Sequence, residues 1–111
     1  MCPAELEEEF LNGYQSGHQL YELTAAVNVV SSQIAGKRHA LRELKEAQAE
    51  KEAALLDKDT PDNERVLLAK DIYELGRRQG AIENEIGALQ RELGARQEEL
   101  DKFRESLAYN R

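Results

Sequence analysis

The spacing of apolar residues in the second half of the chain constrains the fold more than any other feature. Leu68, Ile72, Leu75, Ile82, Ile86, Leu89, Leu93, Leu100, Phe103 and Leu107 fall on one alternating four-three grid, interrupted only at Gln79 and Arg96. Apolar residues recurring every ~3.5 positions keep one stripe of a helix facing a partner helix, which is the coiled-coil pattern. Ile72, Gln79, Ile86, Leu93, Leu100 and Leu107 then occupy a positions, and Leu75, Ile82, Leu89, Arg96 and Phe103 occupy d positions.

The first half carries a looser version of the same grid. Leu20, Leu23, Val27, Val30, Ile34, Leu41, Leu44 and Leu55 share one stripe, with Lys37, Gln48 and Lys51 filling its remaining places. Ala26, Ala40, Ala47 and Ala54 share one flanking position, where small side chains let another helix approach closely. Between the halves lies Asp57-Lys58-Asp59-Thr60-Pro61-Asp62. Pro61 suits a first helical position, Thr60 an N-cap, and Asp62 and Glu64 complement the positive end of a helix. A connection this short makes consecutive helices antiparallel neighbours.

The expected fold is therefore all-α, a long antiparallel helical hairpin of coiled-coil type. Residues 17–57 form the first long helix, 58–60 the hinge and 61–109 the second helix. Residues 1–16 are expected either as a short N-terminal helix or a flexible segment, because Asn12-Gly13 and Gly17 interrupt helical tendency and Ser16 with Gln19 can restart it, or as the start of one continuous helix weakened by the two glycines. Leu6, Phe10 and Leu11 would share one face of that segment. Folding at the hinge brings Ile34 to the Ile82–Ile86 region, Val27 to Leu89–Leu93 and Phe10 to Leu107. The seam expected to hold the hairpin or its oligomers is Leu23, Val27, Val30, Ile34, Leu41, Leu44, Leu75, Ile82, Ile86, Leu89, Leu93, Leu100 and Phe103. Lys37 and Arg96 within it are expected to fix register. Two helices bury one seam, so pairing into a four-helix bundle or a larger coiled-coil assembly is expected.

Composition narrows the function. A third of the 111 residues are charged, aromatics make up 5%, and Trp is absent. This mix suits long helices and leaves little for a deep catalytic cavity. The net charge of −7 opposes nucleic-acid binding, which relies on basic footprints. No apolar run approaches the ~18 residues of a membrane span, so a soluble chain without membrane insertion is expected. Met1 to Glu5 lack the basic start and apolar stretch of a secretory signal, and Cys2 is the only cysteine. An intracellular, cytoplasmic location follows as an expectation.

Chemistry-bearing constellations do not emerge. Gly36-Lys37-Arg38 lacks the first glycine and the final Ser or Thr of a phosphate loop, and it lies inside a helix. His18 and His39 stand apart on the outer face, without the convergent partners that zinc or di-iron sites need. Cys2 has no nearby histidine in sequence to activate it. No catalytic residue, metal or cofactor is expected, and the chain is not expected to be an enzyme.

Two surface features are candidates for recognition. Residues 80–100 repeat one heptad three times, beginning Gly80-Ala81, Gly87-Ala88 and Gly94-Ala95. Each glycine costs ~1 kcal/mol inside a helix relative to alanine. A row of them is therefore either a close-contact face for a partner or a duplicated heptad on a solvated flank. The other feature is a basic belt of Lys37, Arg38, Arg42, Arg77 and Arg78, with Lys45 nearby. It could receive an acidic partner or the acidic end of a second copy, or form ordinary salt bridges with Glu43, Glu46, Glu74 and Glu83. Glu5, Glu7, Glu8 and Glu9 with Glu98, Glu99, Asp101 and Glu105 make that acidic end.

The segment Glu99-Leu100-Asp101-Lys102-Phe103-Arg104-Glu105 resembles the ending of some prefoldin subunits, which have two long antiparallel helices. Only a few loop residues stand here where prefoldins carry the β-hairpin segments through which they assemble. The resemblance implies a hairpin and, as an alternative function, chaperone-like binding of clients or secretion substrates. The primary expectation is a non-enzymatic coiled-coil interaction module, an adaptor or structural subunit. Its partner would be itself or another helical protein, in a homodimer or a hetero-complex.

Overall fold

The structure is a computed structural model that describes the backbone of residues 3–109 and the side chains of residues 13–108. Two helices, α1 (Pro3–Leu56) and α2 (Asp62–Tyr109), account for almost all of it and form a helical hairpin. No strand occurs among the described residues. Helix-favouring Ala, Leu, Glu, Gln and Arg fill both elements, and the only proline beyond residue 3 lies in the turn.

α1 continues through Gly13 and Gly17, so the backbone follows a single helix where a separate N-terminal segment was one expectation. No glycine has a positive φ, so each takes ordinary helical geometry. Glycine weakens a helix by about 1 kcal/mol without forbidding it. The side chains of Leu6, Phe10 and Leu11, the Phe10–Leu107 pairing, Cys2 and the acidic Glu5, Glu7, Glu8 and Glu9 lie outside the described residues.

The turn falls where the sequence places it, but Thr60 plays a different part. Its hydroxyl donates to the carbonyl of Ala54 at 2.6 Å, closing the end of α1 rather than capping α2. The last carbonyls of a helix lack intrahelical donors, so a hydroxyl six residues on satisfies one of them. The Arg65 guanidinium donates to the Asp57 carbonyl at 2.9 Å. Asp57 also accepts the Asp59 N–H on its carboxylate at 3.0 Å, a local turn that aspartate favours. The first bonds of α2 run from the N–H groups of Glu64 and Arg65 to the Pro61 carbonyl.

The chain divides into two compact units. The turn unit comprises Gln33–Gln90, and the terminal unit comprises the remainder of both helices. In the turn unit Ile34 and Ile86 are buried, while Leu41, Leu44, Leu55, Leu68, Ile72, Leu75, Ile82 and Leu89 are half-buried. In the terminal unit Val30 and Leu100 are buried, and Leu20, Leu23, Val27, Leu93, Phe103 and Leu107 are half-buried. Each seam position from Leu68 to Leu107 is thus withdrawn from solvent, Gln79 and Arg96 included. The core is thin, because no described side chain falls below 2% exposure.

Candidate protein-interaction surface

The polar residues of the seam are the first feature to read upward from the sequence. Lys37 and Lys51 both sit at d positions of α1, two heptads apart. The Lys37 ammonium meets the Glu85 carboxylate of α2 at 2.7 Å, and that of Lys51 meets Asp71 at 3.4 Å. Asp71 and Glu85 are themselves two heptads apart, so one geometry is used twice. Between the two pairs, the Gln79 side-chain amide donates to the carbonyl oxygen of Gln48 across the seam. Lys37 therefore reaches a partner across the turn unit. Gln48 and Gln79 add a polar contact across the same seam, one the sequence reading did not name. The signal was available, since both glutamines occupy a positions on either side of the hinge.

Arg96 behaves differently. Its contacts, 3.9 Å to Glu92 and 3.4 Å to Glu99, stay within α2.

Lys37 is engaged with Glu85 at the seam. Arg77 and Arg78 line an open surface recess of about 430 Å³ with Glu74 and Ala81. Arg78 also borders a groove floored by Ala47, Lys51, Asp71 and Leu75. A neighbouring recess of about 290 Å³ adds Ala54, Thr60, Glu64, Leu67 and Leu68. The alanine row of α1 thus leaves a furrow along one side of the turn unit, where larger residues would fill it. Arg38 and Arg42 line none of these recesses. Among the described residues Arg38, Arg42, Lys45, Arg77 and Arg78 form no ion pair, and Glu43 is taken by His39 at 3.0 Å.

Gly80 and Gly87 are half-buried and Gly94 is exposed. A side chain built at any of the three would meet no atom within 4 Å. The hairpin itself therefore does not require glycine there. Apolar side chains are also left uncovered near the turn: Leu56 is 82% exposed, Val66 71% and Tyr73 68%. His18, exposed, pairs with Glu22 at 3.0 Å and stacks on Tyr14 with ring centroids 6.2 Å apart. No group of three or more His, Cys, Asp or Glu converges among the described residues. No helix described is long and apolar enough to cross a membrane.

No protein-family model, curated protein or solved structure matches this chain.

Proposed function

We propose that the chain is a non-enzymatic coiled-coil assembly module, an adaptor or structural subunit that works through helix-to-helix contact. One observation carries the reading: large apolar side chains stand exposed beside the turn, Leu56 by 82%, Val66 by 71%, Leu67 by 62% and Tyr73 by 68%. Burying apolar surface stabilises by about 25 cal/mol per Å², so the uncovered Leu56, Val66, Leu67 and Tyr73 represent binding energy that a partner helix can collect. The recesses are open to solvent rather than enclosed, which suits a partner side chain better than a small-molecule substrate.

Size-exclusion chromatography with light scattering, alongside affinity purification of a tagged chain, tests the reading. The expected result is a defined oligomer or one stoichiometric protein partner. A strict monomer that retains no partner would overturn it. The same material separates an adaptor from a chaperone: an adaptor leaves the aggregation of unrelated unfolded proteins unchanged.

A further inference from the structure

We propose that the partner is a second copy of this chain. The basic stripe Arg38–Arg42–Lys45 of each copy lies along the acidic stripe Glu98–Asp101–Glu105 of the other. The proposal rests on the reading of the chain as an assembly module and adds to it an identity and a contact.

Arg38, Arg42 and Lys45 follow one another at four- and three-residue steps, which places them on one face of α1. Glu98, Asp101 and Glu105 follow at three- and four-residue steps on one face of α2. Both stripes run from the first to the eighth residue of a segment, about 10 Å of helix. All six side chains are exposed. The three basic residues form no ion pair among the described residues, although Glu46 stands one turn beyond Arg42 and Glu43 beside it. Asp101 and Glu105 are likewise unpaired among the described residues. Glu98 holds Lys102 at 3.1 Å, but both side chains are largely exposed. An exposed pair of this kind is worth little and exchanges readily for another.

Three adjacent cations left unpaired repel one another, and an opposing acidic stripe of the same length removes that repulsion. A chain of net charge −7 offers such a stripe in its own second copy. A two-fold arrangement makes the contact twice, because a patch that meets its complement on the partner is met by the partner in return. Charge then selects partner and alignment, while apolar burial supplies most of the affinity.

The test uses two full-length variants, one carrying Arg38→Glu, Arg42→Glu and Lys45→Glu, the other Glu98→Lys, Asp101→Lys and Glu105→Lys. Sedimentation velocity reads the mass of each alone and of an equimolar mixture, with helicity monitored by circular dichroism. The wild-type chain is expected to be a dimer whose dissociation constant rises about tenfold between roughly 0.1 and 1 M salt. Each variant alone is expected to be monomeric, since like charges then face each other. The mixture is expected to form a heterodimer, because both contacts again join opposite charges. A third variant, Arg38→Gln with Arg42→Gln and Lys45→Gln, keeps the test open should reversal disturb folding. It is expected to give a weaker dimer that salt no longer dissociates.

If both reversed variants remain dimeric, the dimer uses another face, and the proposed contact falls while the assembly reading stands. A wild-type monomer that co-purifies with one different protein overturns the second copy as partner and again leaves the assembly reading standing. A mixture that stays monomeric while both variants are fully helical overturns the stripe pairing. A monomer that binds nothing overturns both.

Discussion

The two units of the hairpin are built from the same heptad pattern but held by different means. In the turn unit, α1 and α2 are joined across the seam by Lys37–Glu85, Lys51–Asp71 and Gln48–Gln79, and at the turn by Thr60–Ala54 and Arg65–Asp57. In the terminal unit no polar contact between α1 and α2 occurs among the described residues, and Arg96 turns to Glu92 and Glu99 on its own helix. Among the described residues, apolar packing centred on Val30 and Leu100 holds that unit. Burial is non-directional, so it favours contact without choosing an alignment. Directional partners choose one. Among the described residues the directional contacts between the helices lie in the turn unit, and packing is what opposes sliding in the terminal unit.

The largest test of that contrast places a charge in each seam. Ile86→Asp is expected to cost about 3 kcal/mol or more and to abolish the cooperative melt seen by circular dichroism. Leu100→Asp is expected to strip hydrogen-exchange protection from residues 91–108 while the turn unit keeps its own. Loss of protection around Gln48 and Gln79 in the Leu100 variant would show that the units do not behave separately.

The next effect concerns the glutamine pair. Gln48→Leu alone leaves the Gln79 amide without its partner and is expected to cost about 1–2 kcal/mol in urea unfolding. Adding Gln79→Leu is expected to restore stability to the wild-type level or above while loosening alignment, as apolar replacements of a seam amide do. Double electron–electron resonance between spin labels at Glu46 and Glu83 would then show a broader distance distribution. An unchanged distribution would mean that the lysine pairs and the turn suffice.

A smaller change of opposite sign is expected from Arg96→Leu. Removing a half-buried charge that has no partner across the seam should raise stability by about 1 kcal/mol. A loss of stability would show that Arg96 has a role its helical neighbours Glu92 and Glu99 do not reveal. Smallest is Gly80→Ala or Gly87→Ala, each expected to add about 0.5 kcal/mol to the isolated hairpin by reducing the freedom of the unfolded chain. A fall in stability in an oligomeric sample would locate a close approach at that glycine.

The sequence predicts the architecture well because period and punctuation agree. Leu68 to Leu107 keep one register through nearly all of α2, and Pro61 permits only one place for the chain to turn. Register partners were harder to foresee. Lys37 stands out as a charge in an apolar stripe, but its acceptor Glu85 lies at a flanking position that looks like any other surface glutamate. Thr60 was open to two roles, since its hydroxyl could accept from α2 or donate to α1, and only the backbone path decides between them. Of the basic belt Lys37, Arg38, Arg42, Arg77 and Arg78, Lys37 is engaged with Glu85 at the seam and Arg77 and Arg78 line an open recess, neighbours that their own positions do not announce. Partner choice leaves no local periodicity, so it depends on the complementarity of two surfaces.

The triplicated heptad beginning at Gly80, Gly87 and Gly94 has a consequence for the way such a chain can change. A ruler whose marks are alike measures length but cannot say where zero is. Shifting these heptads by one repeat exchanges glycine for glycine, alanine for alanine and glutamate for glutamate, and on the seam only Arg96, in place of Ile82 and Leu89, tells one repeat from the others. The labelled marks lie outside the repeat, Gln48 with Gln79 and Lys51 with Asp71. Whole heptads could therefore be gained or lost from this stretch, about 10 Å at a time, while those fixed marks still tell each helix where the other begins.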